Sequence, residues 1–245
     1  MHDYVKTYER SRRAIDNGLQ RYMVKVYAHV ACALLITAIA ATATFTYAPL
    51  TDLLFTFDTW GNIHPTGCWY VTVFAPFIIA MYVAGNAYNM AFARSRFLLA
   101  IYAALTGMSF AALGFCYTID SLHKTFLITA ITFGAMSIYG YTTNRDLSAV
   151  GSFCRMAIWG LIISSVVNYF FKSEAIDFIT SFIGVVIFIA FIAYNTQNLK
   201  RIYYEIQDSA LAEKAALMGA FSIYLNFLNL FLHLLRFFGE RKRRD

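Results

Sequence analysis

The chain has 245 residues, 59% hydrophobic and only 14% charged, with mean hydropathy +0.55 and a formal net charge of +6. Soluble domains carry about 25% charged residues, so this composition excludes an ordinary water-soluble fold. Apolar stretches of about 20 residues, enough to cross roughly 30 Å of hydrocarbon, recur along the length without the alternation of a β-barrel.

The expected fold is therefore all-α, an integral membrane protein built as a seven-transmembrane-helix bundle. Residues 1–21 read as a basic N-terminal tail with Lys6, Arg10, Arg12, Arg13 and Arg21. The spans follow at about 22–47, 69–91, 97–119, 124–142, 151–171, 175–196 and 215–238. They form one domain, 22–238, and residues 239–245 are a basic C-terminal tail. The connections are short apart from 52–67 and 197–214, and no soluble domain fits between spans. Ala38-Ile39-Ala40 resembles a signal-peptide cleavage site, but the apolar run continues to Tyr47, so a retained anchor is expected.

Orientation follows from Lys and Arg near the span ends. Arg94, Arg96, Arg145, Lys200, Arg201 and Lys214 lie on the same side as the basic N-terminal tail, against only Lys124 and Lys172 opposite. The N-terminus is expected in the cytoplasm. The tail Arg241-Lys242-Arg243-Arg244 runs against this scheme. Either the last segment crosses fully and leaves that tail outside, or it is re-entrant and six full crossings remain. The surplus positive charge sits beside spans, where it attracts anionic headgroups at about 1 kcal/mol per residue. Lipid contact is therefore expected, and nucleic acid is not. Cys32, Cys68, Cys116 and Cys154 lack metal-site spacing and read as small apolar residues.

Polar residues inside the spans carry the functional signal. In the second span Tyr82, Gly85, Asn86 and Asn89 share a face that extends towards Arg96. The fourth carries Gly134, Ser137 and Gly140 at packing spacing. Arg155 in the fifth and His29 in the first lie near the cytoplasmic interface and can snorkel. Asp146, beside Arg145, reads as a loop ion pair or a helix cap. The sixth span places Asp177, Ser181, Gly184, Asn195 and Asn198 near one side. In the seventh, Ser222, Asn226, Asn229, His233 and Arg236 fall in steps of four, three, four and three. At about 100° per residue they share an arc of roughly 80°. Tyr224 lies opposite. Any one Asn is explained by an interhelical hydrogen bond of about 0.6 kcal/mol. Five aligned polar side chains point instead to a polar pathway.

The run Phe133-Gly134-Ala135-Met136-Ser137-Ile138-Tyr139-Gly140-Tyr141-Thr142-Thr143, followed by Arg145-Asp146-Leu147, resembles the fourth-span signature of the Bax inhibitor family (transmembrane Bax inhibitor motif proteins). Tyr194 to Gln197 is similar to the end of that family's sixth span. The stretch from Ser222 to Phe231, with Leu234-Leu235-Arg236, is similar to its seventh. The resemblance implies seven helices with the last one central. It also implies links to calcium leak, cell-death suppression and, in bacteria, membrane quality control. A bacterial inner membrane is the expected location, with the endoplasmic reticulum as the alternative.

The chain departs from the family at two positions. Where the family carries Asp in its sixth and seventh spans, Asn195 and Asn226 stand here. In relatives those acids are proposed to share a proton and gate a calcium pathway. Paired carboxylates can do so because like charge raises one pKa. Amides do not titrate, although their carbonyl oxygens remain available to calcium. The family's second-span Arg has two positional candidates here, Arg94 and Arg96.

Two functions follow as expectations. One is a calcium or other cation leak along the last helix, lined by Asn195, Asn226 and Asn229, with His233 and Arg236 near its outer end. The other is a non-conducting regulator bound to a membrane protease or another membrane protein. Calcium enters only as a transported ion; no cofactor is expected, and the residues of any metal site are open. Intramembrane aspartyl chemistry would need carboxylates where the Asn residues stand, and no HExxH or GxSxG motif occurs. Enzymatic activity is not expected.

Overall fold

The computed structural model describes residues 2–59, 62–86, 89–206 and 209–242, with side chains from Asn17 onward except at 209 and 210. The side chains of Lys6, Arg10, Arg12, Arg13, Arg243 and Arg244 lie outside that description. The elements in chain order are α1 (His2–Thr46), α2 (Ala48–Leu54), β1 (Phe55–Phe57), β2 (Ile63–Pro65), α3 (Gly67–Asn86), α4 (Phe92–Cys116), α5 (Ile119–Thr142), α6 (Ser148–Phe171), α7 (Glu174–Glu205) and α8 (Ser209–Phe238).

Among the described residues six stretches are long and apolar enough to cross a membrane: Asn17–Thr46, Gly67–Asn86, Phe92–Cys116, Ser148–Phe171, Glu174–Glu205 and Leu211–Phe238. The chain is a multi-pass integral membrane protein. Helix α5, the fourth expected span, has 24 residues, about 36 Å of helix, but its many Thr, Ser, Gly and Tyr residues make it less apolar than the others.

Several expected boundaries move. Segment 1–21, read as a tail, is helical from His2 and continuous with the first span. The stretch 197–214, read as a loop, is largely helix. Helix α7 continues to Glu205 because Leu199 and Ile202 keep the helical apolar period and pack on the core, while Gln197, Asn198 and Arg201 bond sideways. The loop 52–67 is not irregular either. Pro49 starts the short α2, and β1 and β2 form an antiparallel hairpin with Phe55 opposite Pro65 and Phe57 opposite Ile63. Asp58 Oδ1 closes its turn by accepting the Asn62 N–H at 2.7 Å. The fold is thus all-α with one small external hairpin.

Side-chain caps mark two helix starts. Thr118 Oγ1 accepts from Ser121 N before α5, and Ser173 Oγ accepts from Ile176 N before α7. Acidic residues follow in both first turns, Asp120 in α5 and Glu174 and Asp177 in α7, where they complement the helix dipole. Helix α6 ends on Lys172 at φ 49°, the left-handed position at which glycine is usually found.

Helix α8 is the most enclosed of the six apolar stretches, with 72% of its window buried against 17–33% in the others. It packs on α7, α1, α5 and α4, whereas α6 lies on α7 and α3 on α4. It also runs the full depth of the bundle. At its start Glu213 meets Lys25 of α1 at 2.8 Å; beyond its end the Lys242 ammonium lies 5.7 Å from the ring centroid of Phe45, at the far end of α1. The last segment ends beside the α4–α5 corner, where Thr118 N–H donates to Glu240 O at 3.1 Å.

Close backbone approach sets the α1–α4 packing. A Cβ on Gly107 would stand 2.4 Å from the Thr37 carbonyl oxygen, so only glycine allows this contact. Thr37 then lies between the two helices, its hydroxyl 2.9 Å from Ala33 O and 3.1 Å from Ala103 O.

Candidate functional site

Each residue of the segment 194–198, towards the C-terminal end of α7, faces a different neighbour. Tyr194 fills the space left by Gly151 of α6, and its hydroxyl accepts from Arg155 Nη1 at 2.9 Å. Thr196 is fully buried and bonds the Tyr27 hydroxyl of α1 at 3.1 Å. Gln197 holds the α5–α6 connection through two bonds: its Oε1 accepts from Leu147 N at 2.9 Å and its Nε2 donates to Arg145 O at 2.7 Å. Asn198 accepts from Arg201 at 2.7 Å. Lys200, just beyond, donates to Tyr141 O at 3.3 Å near the end of α5. This leaves Asn195 turned towards α8.

The seam between α7 and α8 has a definite register. A Cβ on Gly219 would collide with Leu199, and one on Gly184 would stand 2.5 Å from Cε1 and Nδ1 of His233. By that register Asn195 lies level with Ser222, and Asn226 sits about one helical turn further along, roughly 5 Å in the axial direction. Asn195 is 9% exposed and Asn226 4%. Neither Nδ2 has a hydrogen-bond partner among the described residues, nor do Ser181 Oγ and His233 Nδ1 along the same seam. A buried donor without an acceptor costs about 1–3 kcal/mol. Next to Asn195 a cavity of about 150 Å³ is lined by Asn198, Gly219 and Ser222 among others. Asn195, Asn198 and Ser222 put polar groups into walls that are otherwise mostly apolar, and there is room for several waters, each taking about 30 Å³ in the liquid.

The other stripe residues diverge. Asn229 Nδ2 donates to Leu225 O of its own helix at 2.8 Å, the back-bond of a satisfied amide. The His233 ring stacks on Phe188, 5.5 Å between centroids and 27° between planes. Arg236 is exposed and lies 3.9 Å from Asp177 at the opposite end of the seam. Among the described residues there is no cluster of three or more His, Cys, Asp or Glu that could hold a metal. Oxygen donors at the seam come from the Asn carbonyls and the Ser181 and Ser222 hydroxyls.

The second-span residues do not join this group. Asn86 bonds back to Tyr82 O at 3.0 Å, and Asn89, Arg94 and Arg96 are exposed. Arg96 lies instead over a groove between α1 and α4, near His29. His29 takes a bond with Lys25 O at 2.7 Å. Asp146 precedes the Leu147 N-cap of α6 and forms no ion pair with Arg145; its Oδ1 accepts the Ser148 N–H at 2.9 Å. Those bonds to Ser148 hold its carboxyl below the usual carboxylate range.

Sequence reasoning missed the polar contact on the far face of α8. The Tyr224 side chain is fully buried, and its hydroxyl meets Thr37 Oγ1 at 2.7 Å. A buried Tyr needs a partner for its O–H, which was the available signal. Arg155 likewise bonds Tyr194 where it was expected only to snorkel.

The chain matches the family described as "Inhibitor of apoptosis-promoting Bax1" over residues 19–243. It is 43% identical to the uncharacterized protein RP147 of Rickettsia prowazekii across 99% of this chain and 100% of the relative. It is 37% identical to the inner membrane protein YbhL of Escherichia coli K12, covering 92% of this chain and 94% of that one. An uncharacterized protein of Caulobacter vibrioides is 39% identical over 99% and 100% of the two chains.

Proposed function

This chain belongs to the Bax inhibitor family, and from that premise we propose a seven-span protein of the bacterial inner membrane, with α8 central and a cation leak along the α7–α8 seam. Calcium is the cargo, and the acidic proton switch is replaced by Asn195 and Asn226. The observation that carries this reading is the pair of buried amides whose Nδ2 groups lack partners among the described residues, one of them opening on a cavity between α7 and α8. Amides placed so present carbonyl oxygens and hydrogen-bond donors to water or to a hydrated ion without the cost of a buried charge, about 2.5–3.5 kcal/mol at a helix centre. The chain is read as non-enzymatic, with the N-terminus in the cytoplasm and anionic headgroups around its basic end. Calcium flux into liposomes holding the purified protein tests the leak, with absence of flux at both pH 6 and pH 8 counting against it.

A second reading has its own support. The seam is tightly packed on both sides of the Asn pair, by Leu199 against Gly219 and by His233 against Gly184 and Phe188. Arg236 adds positive charge to the route. A closed seam of this kind suits a non-conducting regulator that binds a membrane protease or another membrane protein. Co-purification of such a partner without measurable flux would favour it.

A further inference from the structure

The end of the bundle away from the Asn pair holds a larger cavity, about 720 Å³, between the hairpin, the end of α4 and the C-terminal segment. Its walls are apolar and aromatic, with Phe55, Trp69, Phe115 and Tyr117 among them, and Arg241 and Lys242 stand at its edge. That size and lining, largely apolar with a few polar groups, is typical of a small-molecule site.

The cavity is built by specific interactions. Phe115 is held by Phe45 at 4.9 Å and Phe55 at 5.3 Å between ring centroids. The tail is fastened across the α4–α5 corner by a bridge between Tyr117 and Arg241 and by Lys242 N–H donating to Cys116 O at 3.0 Å. Glu240 N–H adds a bond to Ser121 Oγ at 3.0 Å. The two cations differ in what they have left to offer. The Lys242 ammonium already donates to Gly114 O at 2.8 Å and lies by the Phe45 ring. The Arg241 guanidinium has neither an ion pair nor a hydrogen bond among the described residues. The wall residue Trp69 also has a buried Nε1 without an acceptor.

The depth of the cavity completes the argument. The apolar stretches of α3 and α4 end at Gly67 and Cys116, so the walls stand where hydrocarbon gives way to headgroups. Just beyond, Tyr70 and Val71 are exposed on the surface of α3. An occupant must therefore present an apolar body to aromatic walls and an anion to Arg241 at the interface. We propose that this cavity binds one anionic phospholipid, its acyl part against Phe55, Trp69 and Phe115 and its phosphate on Arg241. The proposal is independent of conduction along the α7–α8 seam.

The test uses the full chain in phosphatidylcholine nanodiscs, with Trp60→Phe and Trp159→Phe leaving Trp69 as the sole indole. Brominated phosphatidylglycerol, titrated at low mole fraction, is expected to quench Trp69 saturably and more strongly than brominated phosphatidylcholine. Arg241→Ala should weaken that preference roughly fivefold, the effect of one interfacial charge, and Arg241→Lys should keep most of it. Ala112→Phe fills the cavity with all charges intact and should abolish saturable quenching. Equal quenching by the two lipids would overturn the proposal, as would an Arg241→Ala protein with unchanged preference. Competition by soluble glycerol phosphate as effective as that by phosphatidylglycerol would also overturn it, because the anion alone would then be recognised.

Discussion

Gly184 of α7 lies against the imidazole of His233 of α8 so closely that a Cβ at 184 would be 2.5 Å from two ring atoms and 2.7 Å from Cγ. Phe188, one turn along α7, stacks on the same ring. His233 therefore acts as a packed wedge in the seam, and the space for it exists because residue 184 has no side chain. Gly184→Ala should cost about 1–3 kcal/mol through overpacking. His233→Ala in the same protein should recover part of that loss. Thermal unfolding in detergent of the two single variants and the double variant measures the coupling. Additive losses would mean that the two residues do not share this space.

The Asn pair supports a prediction about pH. In the parent protein neither Asn195 nor Asn226 titrates, so any calcium flux should be equal at pH 6 and pH 8. Asp146 does not disturb the comparison. Its carboxyl is held low by Ser148, so its contribution to stability is present above the ordinary carboxylate pKa and fades only as the pH falls through the lowered value. Both assay conditions lie well above that window. With Asn195→Asp and Asn226→Asp, two acids about one turn apart in a buried seam should interact, and one should be pushed upward. Flux should then change between the two pH values. A parent protein with a steep pH response would contradict the leak as described, and no flux in the parent with flux in the variant would favour the regulator.

The buried contact between Thr37 and Tyr224 predicts an asymmetry. The Thr37 hydroxyl already has carbonyl acceptors in Ala33 and Ala103, so the Tyr224 hydroxyl is the donor to Thr37 Oγ1. Tyr224→Phe removes one hydrogen bond and leaves Thr37 satisfied, a loss of about 0.6–1 kcal/mol. Thr37→Val takes the acceptor away from a fully buried O–H and should cost more, about 1–3 kcal/mol. Unfolding midpoints of the two variants give the order. Equal losses would show that Tyr224 reaches another acceptor.

Much of this architecture was legible because membrane spans must satisfy their own backbone hydrogen bonds and so appear as long apolar runs. Composition was enough for the class, and the apolar runs for the approximate place of the long helices, but not for α2 or the start of α1. The α7 extension was missed because Gln197, Asn198, Lys200 and Arg201 look like a solvated loop. Only the helical spacing of Leu199 and Ile202 betrays the buried face beneath them. The hairpin was missed because three-residue strands leave almost no periodic signal. At the seam, spacing aligned Ser222, Asn226, Asn229, His233 and Arg236 on one face of α8, but an arc cannot say which amide turns back onto its own helix. Asn229 does, and Asn226 Nδ2 is left without a partner among the described residues. The second-span residues shared a face in projection, yet α3 packs on α4 and leaves Asn89, Arg94 and Arg96 exposed. Helix periodicity identifies the face of a helix but not the neighbour that covers it.

Gln197 offers the sharpest test of the hub around residues 194–198 of α7. Its side-chain carbonyl accepts from Leu147 N and its amide donates to Arg145 O, so one residue fixes both ends of a short connection. Gln197→Glu keeps an acceptor for Leu147 but points an oxygen at the Arg145 carbonyl. Gln197→Ala removes both bonds. Two hydrogen bonds at about 1 kcal/mol each correspond to a local opening constant raised roughly thirtyfold in the Ala variant. The Glu variant should exchange at least as fast near residue 145, because two acceptors face each other there, while Leu147 keeps some protection. Hydrogen exchange of the 143–148 segment resolves the two cases. If both variants exchange like the parent, the connection is held by the Asp146–Ser148 bond and by the packing of Leu147 on Ala193 and Tyr194, and the role assigned to Gln197 is wrong.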